Sequence, residues 1–188
     1  MFWVFPSETC ITLRTFSGSD GALNTHAVIN SSTLSGLSPS DSLESSTILL
    51  NAENILIVHD GGTLNLVSHA KDANVFSAKF SESSGNFVRS AVLTRSYCGA
   101  VFKRADGGDS VSNNAYSYRL FRFDSGDPVV SRDGVEAYGR VFFSAGERYF
   151  VFSHADALYD QHFAVYDMNE RKKGSGPVVV KEFVLTDR

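Results

Sequence analysis

Apolar residues fall along this chain in short bursts separated by turn-forming residues, and nowhere do they repeat at helical spacing over a long stretch. Residues 47–50 (TILL), 54–58 (NILIV) and 63–67 (TLNLV) are rich in large or β-branched side chains. Asp60-Gly61-Gly62 separates the last two and is hairpin chemistry, because glycine accepts the positive φ of a tight turn. Residues 75–80 alternate apolar with polar and lead into Ser83-Ser84-Gly85-Asn86, a second turn. Residues 116–123 alternate aromatic with polar or basic positions, as a half-buried strand does. Further strand signals occur at 87–97, 99–103, 141–143, 149–152, 163–166, 178–180 and 183–185. The best helical candidate, residues 155–163, is short and lies between two of them.

Strands recurring every ~8 to 15 residues, with Gly, Asp, Ser and Asn between them, predict an all-β protein, an antiparallel β-sandwich of C2-like or jelly-roll-like kind. Parallel α/β folds need crossover helices for which the chain has no room. Residues 1–188 read as a single sandwich domain with two loose segments. Residues 31–46 are serine-rich, a polar loop or a disordered insert; residues 103–114 form an acidic, glycine-rich loop. A faint echo runs through the pattern. Residues 13–20 (LRTFSGSD) resemble 120–127 (LFRFDSGD), and 49–58 parallel 142–152. An internal duplication of two β modules would explain this, as would generic hairpin composition. A related reading is a piece of a β-propeller, with 75–88 and 149–166 as blade strands; two blades at most fit this reading, against the four or more of a closed propeller.

The chain has 188 residues, 43% hydrophobic and 20% charged, enough apolar content for one well-cored domain and too much for a wholly disordered chain. A net charge of -4 leaves no basic surplus to displace phosphate counterions, so no nucleic-acid partner is expected. No apolar run approaches the roughly 18 residues of a membrane-spanning helix. The apolar start, residues 1–5, stops at Pro6 without a basic flank, so it is not a recognisable signal peptide. Cys10 and Cys98 are the only cysteines and read as free structural thiols, and the expectation is an intracellular protein.

Residues 146–166 (GERYFVFSHADALYDQHFAVY) carry a turn, strand, loop, strand unit in which Gly146 and Glu147 open a strand, Ser153 ends it and Phe163 opens the next. This spacing resembles the closing strands of the C2-like β-sandwich domain of calpains, and residues 118–123 match the apolar strand before that family's long acidic loop. Phe152 stands where the family usually has a proline, and neither cysteine lies in a nucleophile motif. The resemblance implies a sandwich with an adaptor-like role and no proteolysis.

Candidate chemistry is thin. The five histidines form no HExxH or HxH pair, and His154, Asp156, Asp160 and His162 are the densest set of possible metal ligands, on what reads as an ordinary polar loop. Asp106, Asp109, Asp124 and Asp127 are loop acids with glycine neighbours, the composition of a C2-like calcium site. They lack a DxDxDG pattern, and Asp with Gly also makes plain turns. No GxSxG elbow and no phosphate-cradling GxxxxGK[ST] is present. The expectation is no enzyme and no cofactor.

The aromatics gather after the midpoint, and neighbours such as Phe142-Phe143 and Tyr149-Phe150 cannot both face one core, since strand side chains alternate. Either both sheet faces are covered or some aromatics are exposed to a partner. Phe142, Tyr149, Phe150 and Tyr159 are the interface candidates. The leading expectation is a non-catalytic structural or adaptor subunit with protein partners or self-association. The alternatives are a viral coat jelly-roll subunit and a Ca²⁺-dependent C2-like lipid- or protein-binding module; membrane-surface contact is not favoured.

Overall fold

The computed structural model describes residues 1–38, 40–71, 73–79, 87–103, 116–124, 128–135, 140–155, 158, 160–171 and 177–186. These residues form four antiparallel sheets, each a meander in chain order. The first has three strands, β1 (Phe2–Pro6), β2 (Cys10–Phe16) and β3 (Leu23–Asn30). The second has β4 (Thr47–Leu50), β5 (Asn54–His59), β6 (Thr63–Ser68) and β7 (Ala73–Lys79). The third has β8 (Phe87–Leu93), β9 (Tyr97–Lys103), β10 (Tyr116–Arg122) and β11 (Pro128–Val135). The fourth has β12 (Arg140–Phe143), β13 (Tyr149–Ala155), β14 (Gln161–Arg171) and β15 (Pro177–Leu185).

The sheets stack in chain order, and alternation within each strand assigns every side chain to one of two neighbours. In β5, Ile55 and Ile57 pack with Ile11, Leu13 and Ile29 of the first sheet. The intervening Leu56 and Val58 pack with Cys98, Ala100, Phe102 and Phe121 of the third. In β9 and β10, Tyr97, Val101, Tyr118 and Leu120 point the other way, onto Phe150, Phe152, Tyr166 and Met168 of the fourth sheet. Three cores thus lie between four sheets. All of β5 and β6 is buried, which is why 54–58 reads as an unbroken apolar run: covered on both faces, it has no wet side to alternate toward.

Between sheets the backbones come nearest through the first strands, β4 against β8 and β8 against β12, so the second, third and fourth sheets fan out from a common inner edge. That is the blade arrangement of a β-propeller, and it corrects the sandwich and jelly-roll expectations, which require two packed sheets. The limit of two blades falls with them, because four sheets are present. First strands open at Thr47, Phe87 and Arg140, a repeat of about 40 to 50 residues, one blade each. The echo in the sequence has the same origin. Residues 13–16 and 120–122 are each the end of a next-to-outermost strand, while 49–58 and 142–152 are each first and second strands, two sheets apart.

The serine-rich segment folds back onto the stack. It holds two single 3-10 turns, Ser31–Thr33 and Leu43–Ser45, and its Leu34 and Leu43 are buried between the first and second sheets. The side-chain amide of buried Asn65 accepts from the Ser35 N–H at 3.0 Å and donates to the Ser35 carbonyl at 3.2 Å, pairing side chain with backbone where a strand would. The 103–114 loop, beyond its first residue, lies outside the described residues. Among them no helix is long and apolar enough to cross a membrane.

Candidate functional site

The fourth sheet has one face against the third and one face with nothing over it among the described residues. In β13, Phe150 and Phe152 enter the core, so Tyr149 and Val151 must point outward. Register extends the outward set across the sheet. Phe142 pairs with Val151, Val151 with Val165 and Val165 with Lys181, while Ser153 pairs with Phe163 and Phe163 with Phe183. The Phe163 and Phe183 rings stack at 4.8 Å and 7°, and the Lys181 ammonium lies 5.6 Å from the Phe183 ring centre. Phe142 is 45% exposed, Phe183 37% and Leu185 57%, a contiguous apolar face of the kind that marks an interaction surface.

At the other end of the stack the first sheet is also open. Trp3, Phe5 and Val28 are exposed on its outer face, and the Arg14 guanidinium lies 5.1 Å from the Phe5 ring centre. The Arg14 Nε is buried and has no hydrogen-bond partner among the described residues.

One end of the stack carries a polar thread from sheet to sheet. His26 Nε2 in the first sheet lies 3.3 Å from His69 Nδ1 of the second, and His69 Nε2 lies 3.3 Å from the Asn51 carbonyl. That carbonyl only accepts, so His69 Nε2 carries a proton and, in a neutral pair, His26 donates to His69 Nδ1. The Asn51 side chain donates to the Thr94 carbonyl of the third sheet at 2.7 Å. The Glu147 carboxylate in the fourth accepts from the backbone N–H of Arg95 and, at 3.1 Å, of Ser96. Burial alone pushes the Glu147 carboxyl up, but hydrogen bonds from Thr94, Ser96 and the Arg95 and Ser96 backbone outweigh it and hold it below its usual value. Glu147 reaches this position at φ 60°, a left-handed conformation for a side chain that rarely adopts it. Beside it, the Arg148 guanidinium donates to buried Asp167 at 3.1 Å.

The predicted site residues separate sharply. Phe142 and Tyr149 share the open face, with the Arg148 guanidinium 5.0 Å from the Tyr149 ring centre. Phe150 is 0% exposed and packs with Tyr118, Phe143 and Tyr166, so it is core and not surface. Tyr159 lies outside the described residues, as do Asp106, Asp109 and Asp127. Asp124 is exposed and pairs with Arg122. His154 and His162 stack with rings 5.0 Å apart in a cleft of about 280 Å³ that Arg132 and Glu182 also line. No group of three or more His, Cys, Asp or Glu is placed to hold a metal among the described residues. Cys10 and Cys98 are free, and burial pushes the Cys98 thiol up to about 12. The sequence analysis missed Val151, Phe163, Phe183, Trp3 and Phe5. Strand parity was the signal that finds them, once either neighbour in each strand is known to be core.

No protein-family model matches the chain, and no curated protein matches it in sequence. Solved structures do resemble it. The WD40 domain of Toxoplasma gondii coronin matches at TM-score 0.63 and 12% identity, over 98% of this chain and 44% of that one. KlAtg21, in complex with the coiled-coil of AgAtg16, matches at TM-score 0.57 and 10% identity, over 94% of this chain and 49% of that one. The computationally designed Ika4 protein matches at TM-score 0.53 and 11% identity, over 88% of this chain and 84% of that one. This chain therefore spans less than half the length of the first two. At these identities the likeness is one of fold, WD40-type propeller blades, and it overturns the resemblance to a calpain C2-like domain.

Proposed function

We propose that the chain is a non-catalytic scaffold or adaptor subunit that docks protein through the open face of its fourth sheet. The observation that carries this reading is the uncovered row Phe142, Val151 and Val165, flanked by the Phe163–Phe183 stack. Water over so many aromatic and branched side chains on one flat face is costly, and a partner's apolar surface removes it. The propeller fold of its neighbours is compatible with such a role, and KlAtg21 is itself seen with a coiled-coil partner. The coat-protein and calcium-dependent lipid readings lose their basis, since both rested on a two-sheet sandwich.

A photo-crosslinking residue placed at Phe142 in living cells tests the reading. Discrete protein adducts are expected there, with none from the same residue placed at exposed Lys71. Equal, diffuse labelling at both positions overturns it.

A further inference from the structure

We propose that the two open ends of the stack cover each other between two copies of this chain, head to tail, closing a ring of eight sheets. This rests on the reading of the fourth sheet's open face as a protein-docking surface and names its occupant.

The argument begins with register. Phe142, Val151 and Val165 hold in the fourth sheet the places that Leu49, Leu56 and Leu66 hold in the second. In the second sheet those side chains pack on Cys98, Ala100 and Phe102, the face that the third sheet turns toward its predecessor. The open row therefore fits a face of that type. The second, third and fourth sheets each have theirs covered by the sheet before. Among the described residues one such face remains free, that of the first sheet, with Trp3, Phe5, Val28 and Arg14.

None of the three cores joins the first sheet to the fourth, so the described residues of one copy do not cover its own ends. A two-fold axis between two copies places each fourth sheet on the other's first sheet, so both junctions form together and neither apolar face remains. A head-to-tail contact closes or grows into a filament according to the angle each unit spans. Four sheets in each copy make eight around the ring, within the four to eight blades of closed propellers. Strands of five or six residues at ~4.8 Å spacing and ~3.3 Å rise make each face on the order of 300 Å² in plane. Four such faces meet the ~1,000 Å² of a specific interface.

Light scattering coupled to size exclusion, over a concentration series, tests the proposal on the full chain and on Trp3→Glu and Phe142→Glu. Wild type is expected at twice the chain mass. Each variant is expected at the single-chain mass while still melting cooperatively. Mixing the two variants is expected to restore the paired mass, because one junction then joins an intact fourth sheet to an intact first sheet. If either variant fails to melt cooperatively, Trp3→Ser and Phe142→Ser replace them. A paired wild type that only Phe142→Glu dissociates means a face-to-face pair and overturns the ring. So do open polymers, and so does a single-chain wild type at every concentration. In that last case, alkylation of Phe142→Cys separates the two readings: labelling at the unfolded-chain rate leaves the docking face open for a different protein, while protection shows that the chain covers it and ends both.

Discussion

In the second sheet the row Leu49, Leu56 and Leu66 passes under the third sheet, and Leu56 and Leu66 are fully buried. In the fourth sheet the corresponding row, Phe142, Val151 and Val165, has no neighbour above it among the described residues, and Phe142 stays 45% exposed. The two rows are alike in apolar character and in pairing. Burial here is set by what stacks on a sheet and not by the strands themselves.

The comparison breaks most visibly at the covered side of the fourth sheet. Phe150→Ala should cost ~3–5 kcal/mol, the usual loss for emptying a packed aromatic site. In a chain of this size that lowers the thermal midpoint by roughly 10 °C. A shift of only a degree or two would mean that the third and fourth sheets do not pack in solution. Next in size, Leu56→Ala should cost ~2–5 kcal/mol, whereas Val151→Ala at the equivalent open position should cost below ~1 kcal/mol. Chemical denaturation of both variants in dilute solution measures that gap. Equal costs would show the open face to be covered.

Glu147→Gln should lower stability by ~1 kcal/mol at neutral pH, a charged hydrogen-bond loss reduced by partial exposure. A carboxyl held below its usual value stabilises the folded chain above that value and loses the effect as pH falls through the folded-state value. The gap between wild type and variant should therefore close in acid, and a gap independent of pH would remove Glu147 from the thread. The smallest perturbation is thiol labelling. With Cys98 fully buried between the second and third sheets and its thiol pushed up to about 12, alkylation in mildly alkaline buffer should proceed only as fast as that junction opens. Rapid labelling of Cys98 in a native Cys10→Ser chain would contradict the junction.

Most of the strands were legible in the sequence, because TILL, NILIV and TLNLV are short and bounded by turn residues. The number of sheets was not. An unbroken apolar run says that a strand is covered on two faces, but two large layers and four thin ones cover it equally well. Asn65 and Ser35 illustrate the serine-rich segment: composition predicts a loose loop, and one buried amide with two backbone bonds ties it down. At the candidate site, sequence selected Phe142 and Tyr149 together with Phe150, which faces the opposite way. Tyr149-Phe150-Val151-Phe152 is apolar at every position, so its pattern does not say which parity is inside, and only the neighbouring sheet decides.

The polar thread through His69, Asn51, Thr94, Ser96 and Glu147 runs along one end of the stack. Stitches at one end of a hinge act on its opening, so this seam works as a protractor that helps to set the arc each sheet adds to the fan. A few degrees gained or lost at every seam accumulate over four sheets. Loosening Asn51 or Glu147 would therefore leave the strands intact and change the curvature of the whole, which decides whether such units meet in a circle or wind past each other as a helix.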